Sequence, residues 1–285
     1  MQLFKHFVMK KIIALIIVTV VLQGCISRKV MQKDIFNPVK EFKLSSDFTF
    51  ERNFIKNTDS TSIETWYITE ENPQINFIYF SGNGSNIRSA IPFFNELGKQ
   101  FNPNIFSFNY SGYGLSEGIP SIDGIVRDGQ LALNYFNNVL EDKGLPTILI
   151  GYSLGGFVAL NLMNHEAIDQ GIIMSTFTSI EELQAYLLKE ALPVIIRPFL
   201  KLDIDKSIYV LDNLKLVENS TKPILFVHGE YDNFIPSSMS YSLYNLSHAV
   251  RKDIKIIDNA DHRMVLKDTI SNKQVIEEIK KFISL

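Results

Sequence analysis

Gly151-Tyr152-Ser153-Leu154-Gly155 fits the pattern G-x-S-x-G, with the apolar run TILI before it and FVAL shortly after it. Small residues two before and two after a serine let the backbone turn sharply enough to lift the hydroxyl above the end of a strand. A pattern this short arises by chance roughly 0.1 times in a chain of this length, so its weight comes from the strand-turn-helix setting. A serine hydroxyl is a weak nucleophile at neutral pH. A nucleophile at Ser153 therefore requires a base, a group that orients the base, and donors for the oxyanion formed when a carbonyl is attacked.

Candidates for each part follow in the chain. PILFVHGEYDNFIP places Asp232 just after a buried run, and IKIIDNADHR places His262 after the next one. Taken singly, Asp232 is equally at home as a loop residue capping the following helix, and His262 as a surface histidine. Together they stand in the order Ser, Asp, His, each after its own strand, as a hydrolytic triad requires. Glu230, Asp258 and Asp261 stay open as alternatives for the acid, with Asp232 in the better loop position. His228 is read as a structural residue at a strand end; His6, His165 and His248 lie away from strand ends. One oxyanion donor falls on the backbone amide of Leu154, at a helix N-terminus where unpaired N–H groups and the helix dipole favour negative charge. The other falls on the amide of Asn83 in FSGNGSN, where Gly82 and Gly84 admit close backbone approach. A phosphate-binding loop is the competing reading, but the chain has no G-x-x-x-x-G-K-[ST].

The elements that must hold these residues are legible as alternating patterns. FTFERNFI and SIETWYIT alternate and predict an antiparallel pair. From there INFIYF, NIFSFNY, TILIGY, GIIMST, PILFVHG and IKIID alternate with helical stretches, as repeated βα units on a mostly parallel sheet do. IDGIVRDGQLALNYFNNVLEDKG has helical apolar spacing and ends at Gly144, a suitable left-handed cap. Residues 180–216 interrupt the alternation with EELQAYLLKEAL and PVIIRPFLKL, apolar segments separated by Pro193 and Pro198 and expected to be helical. They read as a short lid over the carboxyl edge of the sheet, with ordinary core packing as the alternative. Residues 25–45 mix charges with isolated apolar residues and predict a tether or an edge extension.

The 285 residues suit one α/β domain, here 46–285, and the apolar fraction of 46% is ample for a large core. A net charge of −3, without a basic cluster in the body of the chain, argues against a nucleic-acid partner. The single cysteine, Cys25, excludes an internal disulfide. Before it come Lys5, Lys10 and Lys11, then the uncharged run IIALIIVTVVL, the layout of a secretory signal over residues 1–24. Leu22-Gln23-Gly24-Cys25 resembles the lipobox of bacterial lipoproteins, although Gln23 departs from the small or β-branched residue usual there. That resemblance implies lipidation at Cys25 and a bacterial cell-envelope protein held to a membrane by its lipid; an uncleaved N-terminal anchor is the alternative, and a buried helix comes last.

Five motifs in order resemble the α/β-hydrolase superfamily over about residues 46–285: SGNGS, NYSGYGLSEG, GYSLGG, HGEYDNFIP and the final DHR. The nearest likeness is to membrane-associated and serine-aminopeptidase-like bacterial hydrolases. The resemblance implies an α/β-hydrolase fold, with a mostly parallel sheet, an antiparallel N-terminal strand pair, helices on both faces and a short helical lid. It implies Ser153 as nucleophile, Asp232 as acid, His262 as base, and the amides of Asn83 and Leu154 as oxyanion donors, without metal or organic cofactor. Ser81 and Ser111 stand where many relatives have histidine and arginine. The expected activity is hydrolysis of a carboxylic ester through an acyl-enzyme, on a small-molecule or lipid-like acyl substrate, because the insertion is apolar. A peptidase or amidase is the runner-up, with Glu181, Glu182 and Glu190 as candidate holders of an amino terminus. A non-catalytic envelope-binding lipoprotein on the same scaffold is the third reading.

Overall fold

The structure, a computed structural model, describes residues 26–40, 49–57, 60–140, 144–191, 193–194, 200–266 and 269–283. The signal expected over 1–24 and Cys25 lie outside the described residues.

Eight strands form the main sheet: β2 (Glu51–Lys56), β3 (Ser62–Ile68), β4 (Ile75–Phe80), β5 (Pro103–Phe108), β6 (Thr147–Tyr152), β7 (Gln170–Met174), β9 (Ile224–Gly229) and β10 (Lys252–Ile257). Their spatial order is β10-β9-β7-β6-β4-β5-β3-β2. All neighbours from β10 to β5 are parallel, and β3 and β2 add the antiparallel edge. INFIYF, TILIGY and ILFVHG are buried along their whole length, as strands covered on both faces must be, whereas β2 at the sheet edge is largely exposed.

Side chains alternate between two cores because a strand has a period of two. Ile78 and Phe80 of β4 join one core with Leu149 of β6; Phe77 and Tyr79 join the other with Ile148 and Ile150. The first core is closed by α3 (Ile122–Tyr135), α4 (Leu154–Leu162) and α7 (Ser237–Leu246), the second by α2 (Ile91–Phe101) and α8 (Thr269–Ile283). Helix α3 starts on a Ser121 side chain that accepts the Gly124 N–H, and continues as a wider turn over Phe136–Leu140. Gly144 has φ 104°, the left-handed backbone expected of it.

The chain runs from β4 to β5 on one side and from β6 to β7 on the other, so the loops after β4 and β6 flank the point where strand order reverses. In open parallel sheets that crevice, at the carboxyl ends of the strands, is where ligands bind.

The 180–216 insertion departs from the expected helical run. α5 (Ile180–Ala191) is helical, but Leu200–Ile204 is a strand, β8, which pairs in parallel with β1 (Ile26–Val30) as a separate two-stranded sheet. LKLDI alternates apolar and polar residues, and a partner strand satisfies its backbone outside the main sheet. The insertion closes with the turn Lys206–Val210 and α6 (Asn213–Glu218). Residues 192 and 195–199 lie outside the described residues. Residues 26–40 do not hang free of the domain. After β1 and α1 (Gln32–Ile35), Phe36 is buried in the first core, Asn37 N–H donates to Asn83 Oδ1, and Val39 O accepts from Gly114 N–H.

Candidate active site

Ser153 follows β6 with φ 53° and ψ −117°, a backbone region that non-glycine residues rarely occupy. The surroundings fix this turn. Its N–H donates to Met174 O at 2.8 Å, and its carbonyl accepts from the Thr176 hydroxyl at 2.8 Å and from Gly156 N–H at 2.9 Å. Glycine at 155 is a steric requirement, because a Cβ there would lie 2.1 Å from the Phe80 carbonyl oxygen.

His262, on the loop after β10, lies with Nε2 3.1 Å from Ser153 Oγ and Nδ1 2.6 Å from Asp232 Oδ2. A carboxylate at Nδ1 requires the proton there, which leaves the Nε2 lone pair facing the serine hydroxyl. Asp232 is held by its own loop: Oδ1 accepts from the N–H groups of Phe234 (3.0 Å) and Ile235 (2.8 Å). Burial pushes its carboxyl up, but hydrogen bonds from His228, His262 and the Ile235 N–H outweigh that, so it stays well below the usual carboxylate range. Of the alternative acids, Glu230 instead accepts Asn259 N–H, and Asp261 accepts Arg263 N–H. The structure therefore brings Ser153, Asp232 and His262 together.

The loop after β4 packs directly on the elbow: a Cβ on Gly82 would meet Ser153 Cβ at 3.1 Å. Among the described residues, neither the Asn83 nor the Leu154 amide has an acceptor within the protein. The Asn83 side chain ties the loop down, with Oδ1 accepting from Asn37 N–H (2.8 Å) and the Tyr113 hydroxyl (2.6 Å) while Nδ2 donates to Ile35 O (2.7 Å).

Three contributors escape a reading of the sequence. The Tyr152 hydroxyl, pushed up in pKa by burial, donates to the His262 carbonyl at 2.8 Å and so fixes the histidine loop. Phe234 packs its ring edge-on to His262 at 5.2 Å. His228 lies 3.2 Å from Asp232 Oδ2. The available signal for the last is a histidine within an otherwise apolar buried strand, four residues before the acid.

The pKa of Tyr186 on α5 is raised by partial burial, then by the charges of Glu190 and Asp232. Glu181, Glu182 and Glu190 are exposed on that helix, and Glu182 takes the Thr178 hydroxyl.

Comparison with known proteins bears on the family and the fold. A family model described as Chlamydia CHLPS protein (DUF818) matches residues 6–281. The chain belongs to this family. It is also 28% identical over 213 residues to the alpha/beta hydrolase domain-containing protein WAV2 of Arabidopsis thaliana, a match spanning 68% of this chain and 66% of that one. An uncharacterized membrane protein of Saccharomyces cerevisiae is 26% identical over 241 residues, covering 84% of this chain and 81% of the yeast protein. Among solved structures, the Pyrococcus furiosus esterase Pf2001 superposes with a TM-score of 0.68 at 19% identity, over 87% of this chain and 96% of that one. By sequence and by fold this CHLPS-family chain is a member of the α/β-hydrolase superfamily.

The two motif departures have structural consequences in this CHLPS-family chain. Ser81 is buried with its hydroxyl unpartnered, and its carbonyl accepts from the Tyr110 hydroxyl at 3.2 Å. Ser111 donates its backbone N–H to the buried Asp128 carboxylate at 2.7 Å.

Proposed function

We propose that the protein is a serine hydrolase that cleaves carboxylic esters through an acyl-enzyme. The observation that carries this reading is the line Ser153 Oγ, His262 Nε2, His262 Nδ1, Asp232 Oδ2 with its 3.1 and 2.6 Å contacts. In the proposed reaction His262 takes the Ser153 proton as Oγ bonds to the carbonyl carbon. Asp232 stabilises the imidazolium, and the amides of Asn83 and Leu154 take the oxyanion. The C–O bond to the leaving alcohol breaks as His262 returns the proton to it. Water, activated by the same histidine, then releases the acid and restores Ser153.

Two features favour an ester over an amino-terminal peptide. The face of α5 toward the domain is apolar, with Leu183 buried and Tyr186 and Leu187 packed on the core. The three glutamates point to solvent, or in the case of Glu182 to Thr178, so no acidic cluster is reserved for a substrate amine. A lipid anchor at Cys25 belongs to the same proposal, and mass spectrometry of the mature N-terminus tests it: cleavage before Cys25 with added acyl mass is required.

The deciding experiment compares the wild type with Ser153→Ala. A fluorophosphonate probe should label only the wild type, and p-nitrophenyl ester turnover should vanish in the variant. Retained turnover in Ser153→Ala would refute the mechanism. Faster cleavage of aminoacyl arylamides than of short-chain esters would move the reading to a peptidase.

A further inference from the structure

The chain enters the domain on the same edge that carries Ser153. β1 and β8 run in parallel with Ile26 opposite Leu200 and Val30 opposite Ile204. The inner ends of this pair, Val30 and Ile204, pack on the first core, so Ile26 lies at the outer end. Beyond Val30 the chain crosses the carboxyl edge of the sheet. Gln32 accepts the Ile122 N–H, Ile35 and Asn37 bind the Asn83 side chain, and Lys40 donates to Ser116 O. Each of these partners belongs to a loop after a parallel strand or to the start of the helix that follows.

The sequence immediately before β1 leaves little slack. The uncharged run ends at Leu22, and Cys25 directly precedes Ile26. A fully extended chain rises at most about 3.6 Å per residue, so Ile26 lies within about 15 Å of Leu22. Whether a lipid on Cys25 or the uncleaved apolar run holds the membrane, the carboxyl edge is the edge held next to it. That edge also carries exposed apolar side chains. Leu115 and Ile119 on the loop after β5, Val210 in the insertion, and Tyr231 and Phe234 on the Asp232 loop are 46–84% exposed. Single exposed apolar residues need no explanation, but several on the loops of one sheet edge beside an anchoring point do. One of them, Phe234, touches the His262 ring.

We infer that the carboxyl edge docks on a lipid bilayer, with Ile119, Tyr231 and Phe234 entering its interface, and that the substrate is an acyl ester drawn from that bilayer. The substrate part of this inference rests on the serine-hydrolase reading; the docking part does not. The anchor and the apolar rim fix the opening toward the acyl chains, so an ester carbonyl at headgroup depth reaches Ser153 without its chains crossing water. The reaction is that of the proposed function: the acyl group passes to Ser153 Oγ, the lipid alcohol leaves with the proton from His262, and water releases a fatty acid.

The test uses the full chain reconstituted in phosphatidylethanolamine–phosphatidylglycerol vesicles containing brominated acyl chains. The native Trp66 is fully buried and gives a constant background. Tryptophans introduced by Ile119→Trp and Tyr231→Trp should be quenched severalfold more than one introduced by Val250→Trp, which is 80% exposed on the opposite edge. Quenching equal to or below that of Val250→Trp overturns the docking. In the same vesicles carrying a diacylglycerol, Ile119→Asp should lower the ratio of diacylglycerol to p-nitrophenyl butyrate turnover about tenfold. An unchanged ratio overturns the bilayer as substrate source. Failure of the hydrolase reading shows separately, as a wild type that neither turns over p-nitrophenyl butyrate nor takes the fluorophosphonate.

Discussion

Asp232 shares one carboxylate oxygen, Oδ2, between two histidines, His262 Nδ1 at 2.6 Å and His228 Nε2 at 3.2 Å. His228 is fully buried, and its Nε2 also lies 2.8 Å from the Ile235 carbonyl, while Nδ1 lies 2.6 Å from Ser240 Oγ. Two acceptors at Nε2 demand a proton there, and Nδ1 finds its partner in the Ser240 hydroxyl, so the ring is satisfied on both sides. His228 thus ties the Asp232 loop to β9 at two points, and His262 is aimed through Asp232. It is a positioning residue.

His228→Leu should therefore lower kcat on a p-nitrophenyl ester by about 10- to 100-fold with KM little changed, because small misplacements of reacting groups cost that much. His228→Gln, whose side-chain amide reaches the same oxygen, should recover part of the loss. Steady-state kinetics beside thermal melting separate this from unfolding: a purely structural histidine would lower Tm without a kcat defect in the folded fraction.

Acid stability should report on the same carboxylate. The folded pKa of Asp232 is held below its unfolded value, so its stabilisation is complete above about pH 4 and lost as pH falls through the folded pKa. The Tm advantage of wild type over Asp232→Asn should accordingly be constant near neutrality and shrink below about pH 4. Melting curves across that range check the sign, and an advantage that grows on acidification would contradict it. At neutral pH the variant should also lose about 10⁴-fold in kcat, since an amide favours the wrong histidine tautomer.

Asn83 offers a third check, because its side chain and its backbone do different jobs. Asn83→Ala keeps the amide but removes three hydrogen bonds that hold residues 35–37 and Tyr113 to the loop. Two of these bonds are exposed and the one from Tyr113 is part-buried, so the variant should lose only about 1–2 kcal/mol. Its kcat should fall more than its stability suggests, because the oxyanion amide loses its brace. Tyr113→Phe removes one of the three and should show a smaller effect of the same kind, measured by denaturant melts and ester turnover.

The candidate catalytic residues were legible because each follows an apolar run ended by turn residues, and that local pattern specifies a strand end on the carboxyl edge. Ser153, Asp232, His262 and the glycine loop at Asn83 are brought together by the order β10-β9-β7-β6-β4, which repeated βα units impose. What stayed hidden depends on contacts between distant segments. β8 pairs with β1 across more than 170 residues, and no local propensity announces that partnership. LKLDI sits at the end of the apolar stretch PVIIRPFLKL, which reads as helical, and only the pairing with β1 makes it a strand. The contacts of Tyr152 with the His262 loop and of His228 with Asp232 likewise join separate elements, so their side chains passed for turn and core residues.

The tightest prediction concerns the elbow itself. A Cβ at position 155 would lie 2.1 Å from Phe80 O and 2.8 Å from Ser81 O, both backbone atoms at the end of a fully buried central strand. Neither can rotate away, so Gly155→Ala must displace either the start of α4 or the loop after β4, and both carry candidate oxyanion amides. The variant should lose at least about 3 kcal/mol and, in whatever fraction folds, fluorophosphonate reactivity. Gly156→Ala is the informative contrast. There the nearest atoms are Thr176 Oγ1 and Cβ, at 2.6 and 2.7 Å; Oγ1 can turn at the cost of its hydrogen bond to the Ser153 carbonyl, and Cβ asks for a shift of the loop after β7, which carries no candidate oxyanion amide. Its loss should be smaller in both melting and labelling, and a Gly155→Ala protein more stable or more reactive than Gly156→Ala would show that β4, not the elbow, yields.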